Sequence, residues 1–199
     1  MEIIIRKKMN TEKALEALKK IQYICPTSFI LFGTLLGCMR NGKYIPWDND
    51  MDFGILYEDW KEEYAEIFKK EGFIVLVDVF WTHKNSIQIV DKEMLGKRSK
   101  IQMYYKDKHI RICFEVFCKG INNHRYSGAG GAPRIFHCPE EMISKTIKYP
   151  FYDTEVNIPE NYEEFLTYIY GENWRIPNRK YMGSSEYKIS EKKWKIFLD

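Results

Sequence analysis

The chain has 199 residues, 45% of them hydrophobic and 16% aromatic, which supports one compact core and excludes a disordered chain. Its 31 basic residues nearly balance 28 acidic ones, so the formal charge of +3 gives no basis for nucleic-acid or anionic-membrane binding. No apolar run approaches the ~20 residues of a membrane span, and the apolar run within MEIIIRKKMN is too short for a signal sequence. Five cysteines without a C-x-x-C pair fit neither a disulfide framework nor a zinc knuckle, so a cytoplasmic protein with reduced, buried thiols is expected.

In chain order, Ala14, Leu15, Leu18, Ile21 and Ile24 recur at helical spacing, with Asn10 or Thr11 as N-cap and Pro26 as the stop. SFILFG reads as a short buried strand ending at Gly33, and TLLGCMR as a short helix closed by the NGK turn. An acidic strand follows, with Asp50 and Asp52 alternating against Met51 and Phe53. YEDWKEEYAEIFKKEGF is a second amphipathic helix with Trp60, Tyr64, Ile67 and Phe68 on its apolar face and Gly72 at its C-terminal cap. FIVLVDVFW, SIQIV, KIQMYY and HIRICFEVF read as successive strands, and CKGINNHRYSGAGGAP as loop. A proline-bearing turn then leads into a helix over about Tyr162–Tyr170, followed by a loosely held polar tail. The basic clusters Arg6-Lys7-Lys8 and Lys97-Arg98-Ser99-Lys100 read as solvated surface, with phosphate contact as the alternative. Because the later strands lack crossover helices, the pattern predicts an α+β domain, a mixed central sheet with helices on one face. Residues 1–199 form a single domain in this reading: a core over about 1–118 and a helical, loop-rich extension over 119–199.

The chemistry concentrates in GTLLGCMRNGKYIPWDNDMDFGI. Side chains alternate along a strand, so Asp50 and Asp52 share a face, joined by Asp48 if the extended geometry starts there. Like charges on one face call for cations, and oxygen ligands with no histidine or thiol nearby in sequence favour Mg²⁺ or Mn²⁺ over zinc. DNDMD also begins like an EF-hand, but Phe53 stands at the position that needs glycine and Asp59 at the position of the bidentate glutamate. A solvated acidic loop does not explain the apolar flanks YIPW and FGIL. Gly33-Thr34, between a strand and a helix, would present backbone N–H groups to phosphate oxygens. A phosphate-binding turn shortly before a metal-binding strand is the division of labour that in-line phosphoryl transfer needs.

This run resembles the signature of the LicD and fukutin-related proteins, a branch of the nucleotidyltransferase-fold (polymerase-beta-like) superfamily. VNIPENYEEFLTYIYGENWRIP is similar to the same family's C-terminal motif, so the resemblance spans roughly residues 27–177. It implies transfer of phosphocholine or a phospho-alditol from a CDP-activated donor to a hydroxyl of a glycan or glycolipid acceptor, releasing CMP. It also implies a metal site built from Asp50, Asp52 and a third carboxylate, with Asp48 an additional acid beside the donor. FEVFCKG matches the family's IDIFPLD and makes Glu115 the candidate third carboxylate and general base, with Asp78 its competitor. Arg40 ends the family's G-x-x-R run and would reach a donor phosphate. Trp47 and Trp174, each in a family motif, are read either as core or as walls of the donor pocket. Tyr170 and Gly171 read as shaping the fold. The histidines His83, His109, His124 and His137 form no catalytic order. Cys118, His124, His137 and Cys138 are read as structural, with a zinc site as the alternative. Two other readings stay open: nucleotidyl transfer releasing pyrophosphate, and an inactive nucleotide- or glycan-binding module.

Overall fold

The computed structural model describes residues 9–81, 90, 92–106, 110–128, 135–177 and 188–189. Helix α1 spans Thr11–Ile24, and its N-terminus is closed by the Asn10 side chain accepting the Lys13 N–H at 3.0 Å. The short strand β1, Phe29–Ile30, leads into α2, Phe32–Asn41, which ends at Gly42 in a left-handed conformation, φ +63°. Strand β2, Asp50–Leu56, runs to a 3₁₀ turn at Tyr57–Asp59, where sequence periodicity alone continues a helix; α3 starts only at Glu63 and ends at Lys70. Then come β3 (Phe73–Phe80), β4 (Arg98–Tyr105) and β5 (Arg111–Lys119). The SIQIV stretch lies outside the described residues apart from Val90, which bridges to Gly120.

The segment read from sequence as loop is in part a β-hairpin. β5 turns at residues 121–123 into β6 (His124–Ser127), which pairs with β7 (Ile135–Pro139), and a second hairpin follows from β8 (Thr146–Phe151) and β9 (Thr154–Pro159). Helix α4, Tyr162–Tyr170, falls where its motif predicts. Lys188–Ile189 adds β10 against β7, and the rest of the polar tail lies outside the described residues.

Among the described residues, the main sheet has eight strands, ordered β1-β2-β5-β6-β7-β10, with β4 pairing β5 and β3 pairing β4. It is mixed, as expected of the α+β class: β2 pairs β5 in parallel while β1 with β2, and β4 with both of its neighbours, are antiparallel. Its core face carries the row Phe53, Phe114 and Ile101 across β2, β5 and β4, all fully or almost fully buried. Phe68 of α3 packs on Phe114, ring centroids 5.9 Å apart, and Tyr105 donates to Glu16 of α1 at 2.7 Å, so α1 and α3 cover this face. Each fully buried phenylalanine contributes about 1.5–3 kcal/mol. No helix among the described residues is long and apolar enough to cross a membrane.

Helix α2 and the loop after it approach so closely that a Cβ built on Gly37 would lie 2.5 Å from the Lys43 carbonyl oxygen and 3.0 Å from the Ile45 nitrogen. Both are backbone atoms that cannot swing aside. Alanine in a helix gains up to about 1 kcal/mol over glycine, whereas overpacking against backbone costs about 1–3 kcal/mol. Gly37→Ala is therefore expected to destabilise the protein by about 1–2 kcal/mol in urea unfolding; a stabilised variant would show that the loop carrying Asp48 is not held against α2.

Candidate active site

The entry to α2 sets one wall of the site. Phe32 takes φ +42°, an unusual conformation for a bulky residue, and its ring is held edge-on against Phe136 at 4.8 Å and near Phe165 of α4 at 6.1 Å. That turn brings the start of α2, with its N–H groups that lack intrahelical acceptors, beside the acidic end of β2. Two bonds fix the approach: Leu31 N–H donates to the Asp52 carbonyl at 3.0 Å, and Asp52 N–H donates to the buried Thr34 hydroxyl at 2.9 Å. The Thr34 side chain, in the first turn of α2, therefore locks β2 to α2. A Cβ at Gly33 would lie 2.3 Å from Asp48 Oδ2, so any larger residue there would displace that carboxylate.

Asp50 and Asp52 share one face of β2, as alternation requires, and Asp48 joins them from the loop, its carboxylate accepting the Asn49 N–H at 2.9 Å. The DNDMD run enters a strand rather than a calcium loop, which removes the EF-hand reading. Crowding shows in the protonation of the group. Burial, a hydrogen bond with Asp50 and the charge of Asp50 push the Asp48 carboxyl up to about 7. Burial, Asp50 and Asp48 push Asp52 well above the carboxylate range, opposed by the Lys100 ammonium.

The parallel register places Asp50 opposite Arg111, Asp52 opposite Cys113 and Gly54 opposite Glu115. Arg111 Nε donates to Asp50 Oδ2 at 3.1 Å, with a second contact from its Nη2, and its guanidinium is 44% exposed. One ligand atom from each of Asp50, Asp52 and Cys113 lies within 4.8 Å of the other two. Glu115 faces the same side but is buried, with one oxygen paired to Lys100 and the other accepting the Ser127 hydroxyl at 3.0 Å. The side chain directly beside Asp52 is thus a thiol, and Glu115 is spent on a cation one step further along. Asp78 lies in the row of Ile101, Phe114 and Phe53 on the opposite face, and chelates Arg98 at 2.6 and 2.7 Å; it is not part of the acidic group.

Lys97 is exposed as expected, but residues 98–100 correct the surface reading of this cluster. Arg98 and Ser99 are buried, Arg98 also reaching Glu62 and lying 5.3 Å from the Trp60 ring. Lys100 enters the site: burial opposes its charge, but Glu115, Cys113 and Asp52 hold the ammonium above its ordinary range. Arg111, Cys113 and Lys100 were missed because only strand pairing brings them to the aspartates. The alternation of Lys100 with Gln102, and of Arg111 with Cys113 and Glu115, was the available signal.

Other predicted residues lie elsewhere. Arg40, at the far end of α2, donates through Nε to the Trp174 carbonyl at 2.6 Å and through Nη2 to the Ile176 carbonyl at 3.1 Å, so it ties down the segment after α4. Trp174 is buried in the main core, Trp47 is 45% exposed, and Gly171 caps α4 after Tyr170. Tyr126 and His137 are paired across β6 and β7, as are Arg125 and Cys138, so His137 and Cys138 point to opposite faces. That orientation prevents Cys118, His124, His137 and Cys138 from closing round one zinc ion. His83 and His109 lie outside the described residues.

The family model for the LicD/FKTN/FKRP nucleotidyltransferase domain matches residues 26–161. Curated relatives include "Ribitol 5-phosphate transferase FKRP" of Mus musculus and Homo sapiens, each 26% identical over 165 residues, and "Ribitol-5-phosphate transferase FKTN" of Macaca fascicularis, 23% identical over 155 residues. These alignments cover 73% of this chain, which spans only 28% of the length of each relative. Among solved structures, the lincosamide antibiotic adenylyltransferase LnuA with lincomycin bound aligns with a TM-score of 0.49 and 8% identity, covering 80% of this chain and 86% of that one. The family match, together with the glycine turn and the acidic strand it contains, places the chain in the LicD and fukutin-related family of nucleotidyltransferase-fold proteins.

Proposed function

We propose that this protein transfers a phospho-substituent, a phospho-alditol such as ribitol phosphate or else phosphocholine, from a CDP-activated donor to a glycan or glycolipid hydroxyl, releasing CMP. The observation that carries this reading is the approach of Asp48 and Asp52 to Gly33 at the start of α2, with Asp50 beside both carboxylates. Three carboxylates, two of them held toward their protonated forms by mutual repulsion and burial, fit a divalent cation. Asp50 and Asp52 would hold it, and oxygen ligands alone would suit Mg²⁺ or Mn²⁺. When bound, such an ion supplies charge neutralisation and Lewis acidity at a phosphoryl oxygen.

The chain's own groups complete the reading. The first N–H groups of α2, which lack intrahelical acceptors, would receive phosphate oxygens, and Gly33 leaves room for the Asp48 carboxylate beside them. Arg111, paired with Asp50 yet partly exposed, is the guanidinium placed to turn to a donor phosphate when a cation takes over Asp50. Asp48, outside the trio of Asp50, Asp52 and Cys113, is the carboxylate left to accept the proton of the attacking hydroxyl. Lys100, held by Glu115, offsets part of the charge of Asp52. Five buried cysteines suit a reducing compartment, and a cytoplasmic setting is part of the proposal.

The test is calorimetric titration of CDP-ribitol, CDP-glycerol, CDP-choline and CTP, with and without Mg²⁺ or Mn²⁺, followed by product analysis with acceptor present. Metal-dependent binding of one CDP donor and formation of CMP are expected, both lost in Asp50→Ala/Asp52→Ala. Pyrophosphate as product would replace the reading with nucleotidyl transfer. No nucleotide binding under any condition would leave a module without this chemistry.

Crowding of the carboxylates also sets a pH dependence. Because the folded state raises the Asp48 carboxyl from 3.8 to about 7, it binds that proton more tightly than the unfolded chain does. This contribution to stability is full below about pH 4 and is lost as the pH rises through about 7. Without divalent ions, wild type should lose melting temperature relative to Asp48→Asn across that window, and an added divalent ion should restore most at the alkaline end. Parallel profiles for the two proteins would show that Asp48 is not crowded.

A further inference from the structure

The expectation of an all-oxygen centre rested on the absence of a thiol near the aspartates in sequence, and the fold brings one there. Asp52 and Cys113 are partners in the parallel ladder, so both side chains project from the same face of adjacent strands. The sulfur belongs to the same trio as the Asp50 and Asp52 oxygens, every pair within 4.8 Å, a spacing that one bound ion can bridge. Cys113 is 7% exposed, and behind it the Gln102 amide donates to the sulfur at 3.7 Å. A donor on the far side of a ligand atom orients it and stabilises the charge it carries once metal is bound. The competing carboxylate, Glu115, has both oxygens engaged by Lys100 and Ser127.

We propose that Cys113 is the third protein ligand of the cation held by Asp50 and Asp52, so that this centre selects Mn²⁺ and softer divalent ions over Mg²⁺. The inference rests on the metal-dependent reading of the site and refines which ion serves it. Sulfur is a poor partner for Mg²⁺, which demands oxygen ligands in a near-ideal octahedron, whereas Mn²⁺, Co²⁺ and Cd²⁺ accept a mixed oxygen and sulfur set with rising preference. On ligation the Cys113 S–H bond is replaced by a sulfur–metal bond and the proton passes to solvent. No electron changes hands, so no oxidant or reductant is needed.

Co²⁺ is the probe that separates binding from sulfur ligation, because its visible ligand-field bands report occupancy and a near-ultraviolet charge-transfer band reports a thiolate ligand. The full chain is titrated with Co²⁺ as wild type, Cys113→Ser, Cys113→Asp and Asp52→Asn, with competition by Mg²⁺, Mn²⁺ and Cd²⁺. Wild type should show both signals. Cys113→Ser should keep the ligand-field bands, lose the charge-transfer band and bind Co²⁺ and Cd²⁺ weaker by on the order of tenfold or more. Cys113→Asp should gain affinity for Mg²⁺. Binding of Co²⁺ to wild type without the charge-transfer band, or its survival in Cys113→Ser, would overturn the sulfur ligand while leaving the metal-dependent reading intact. If Cys113→Ser does not fold, survival of the charge-transfer band in Cys113→Asp has the same force, since position 113 then carries no sulfur and the band would belong to another cysteine. Failure of wild type to bind Co²⁺ at all would overturn both.

Discussion

The parallel pairing of β2 with β5 is the constraint on which the site depends. One residue of slip would turn Cys113 and Glu115 to the helix-covered face and bring Phe114 beside the aspartates. What prevents the slip is the core: Phe53, Phe114 and Ile101 form a continuous buried row, with Phe68 of α3 closing over it. Apolar packing on one side of the sheet thereby fixes the polar geometry on the other. Helix α2 supplies the remaining wall, and it can approach only because Gly33 and Gly37 leave room for Asp48 and the loop that carries it.

Lys100 and Glu115 show how such a face tolerates its charge. Alone, either would be a costly buried ion; together, with Ser127 completing the carboxylate's bonds, they form a satisfied pair next to Asp52. Arg111 does the same for Asp50 at the exposed rim. Asp48 and Asp52 are the members left without a dedicated cation, and theirs are the carboxyls driven upward. The carboxylates thus differ by partner: Glu115 and Asp50 are each paired with a cation, while Asp48 and Asp52 crowd one another and Asp50.

The parts legible in the sequence were those governed by local pattern. Helices α1 and α4 follow their periodicity and caps, and the alternation at Asp50 and Asp52 placed them on one face of a strand. The hairpins β6–β7 and β8–β9 were not legible, because their short strands lack clean alternation and carry prolines and charges. Lys100 and Cys113 failed for a different reason. Their roles come from cross-strand neighbours far away in the chain, and a basic cluster such as residues 97–100 looks solvated until an adjacent strand supplies its carboxylates. Arg40 shows the converse: a guanidinium in a recognisable motif whose partners are the carbonyls of Trp174 and Ile176.

The balance of charge bears on how many ions the protein itself can hold. With Asp48, Asp50, Asp52 and Glu115 ionised, four negative charges face the cations of Arg111 and Lys100, leaving two uncompensated. One divalent cation cancels that excess. A second would make the empty site cationic whether or not the Cys113 sulfur ionises, and only the arriving diphosphate would offset it. On the proposed reading this balance suits one ion held by the protein, with any second entering together with the donor phosphates it would neutralise.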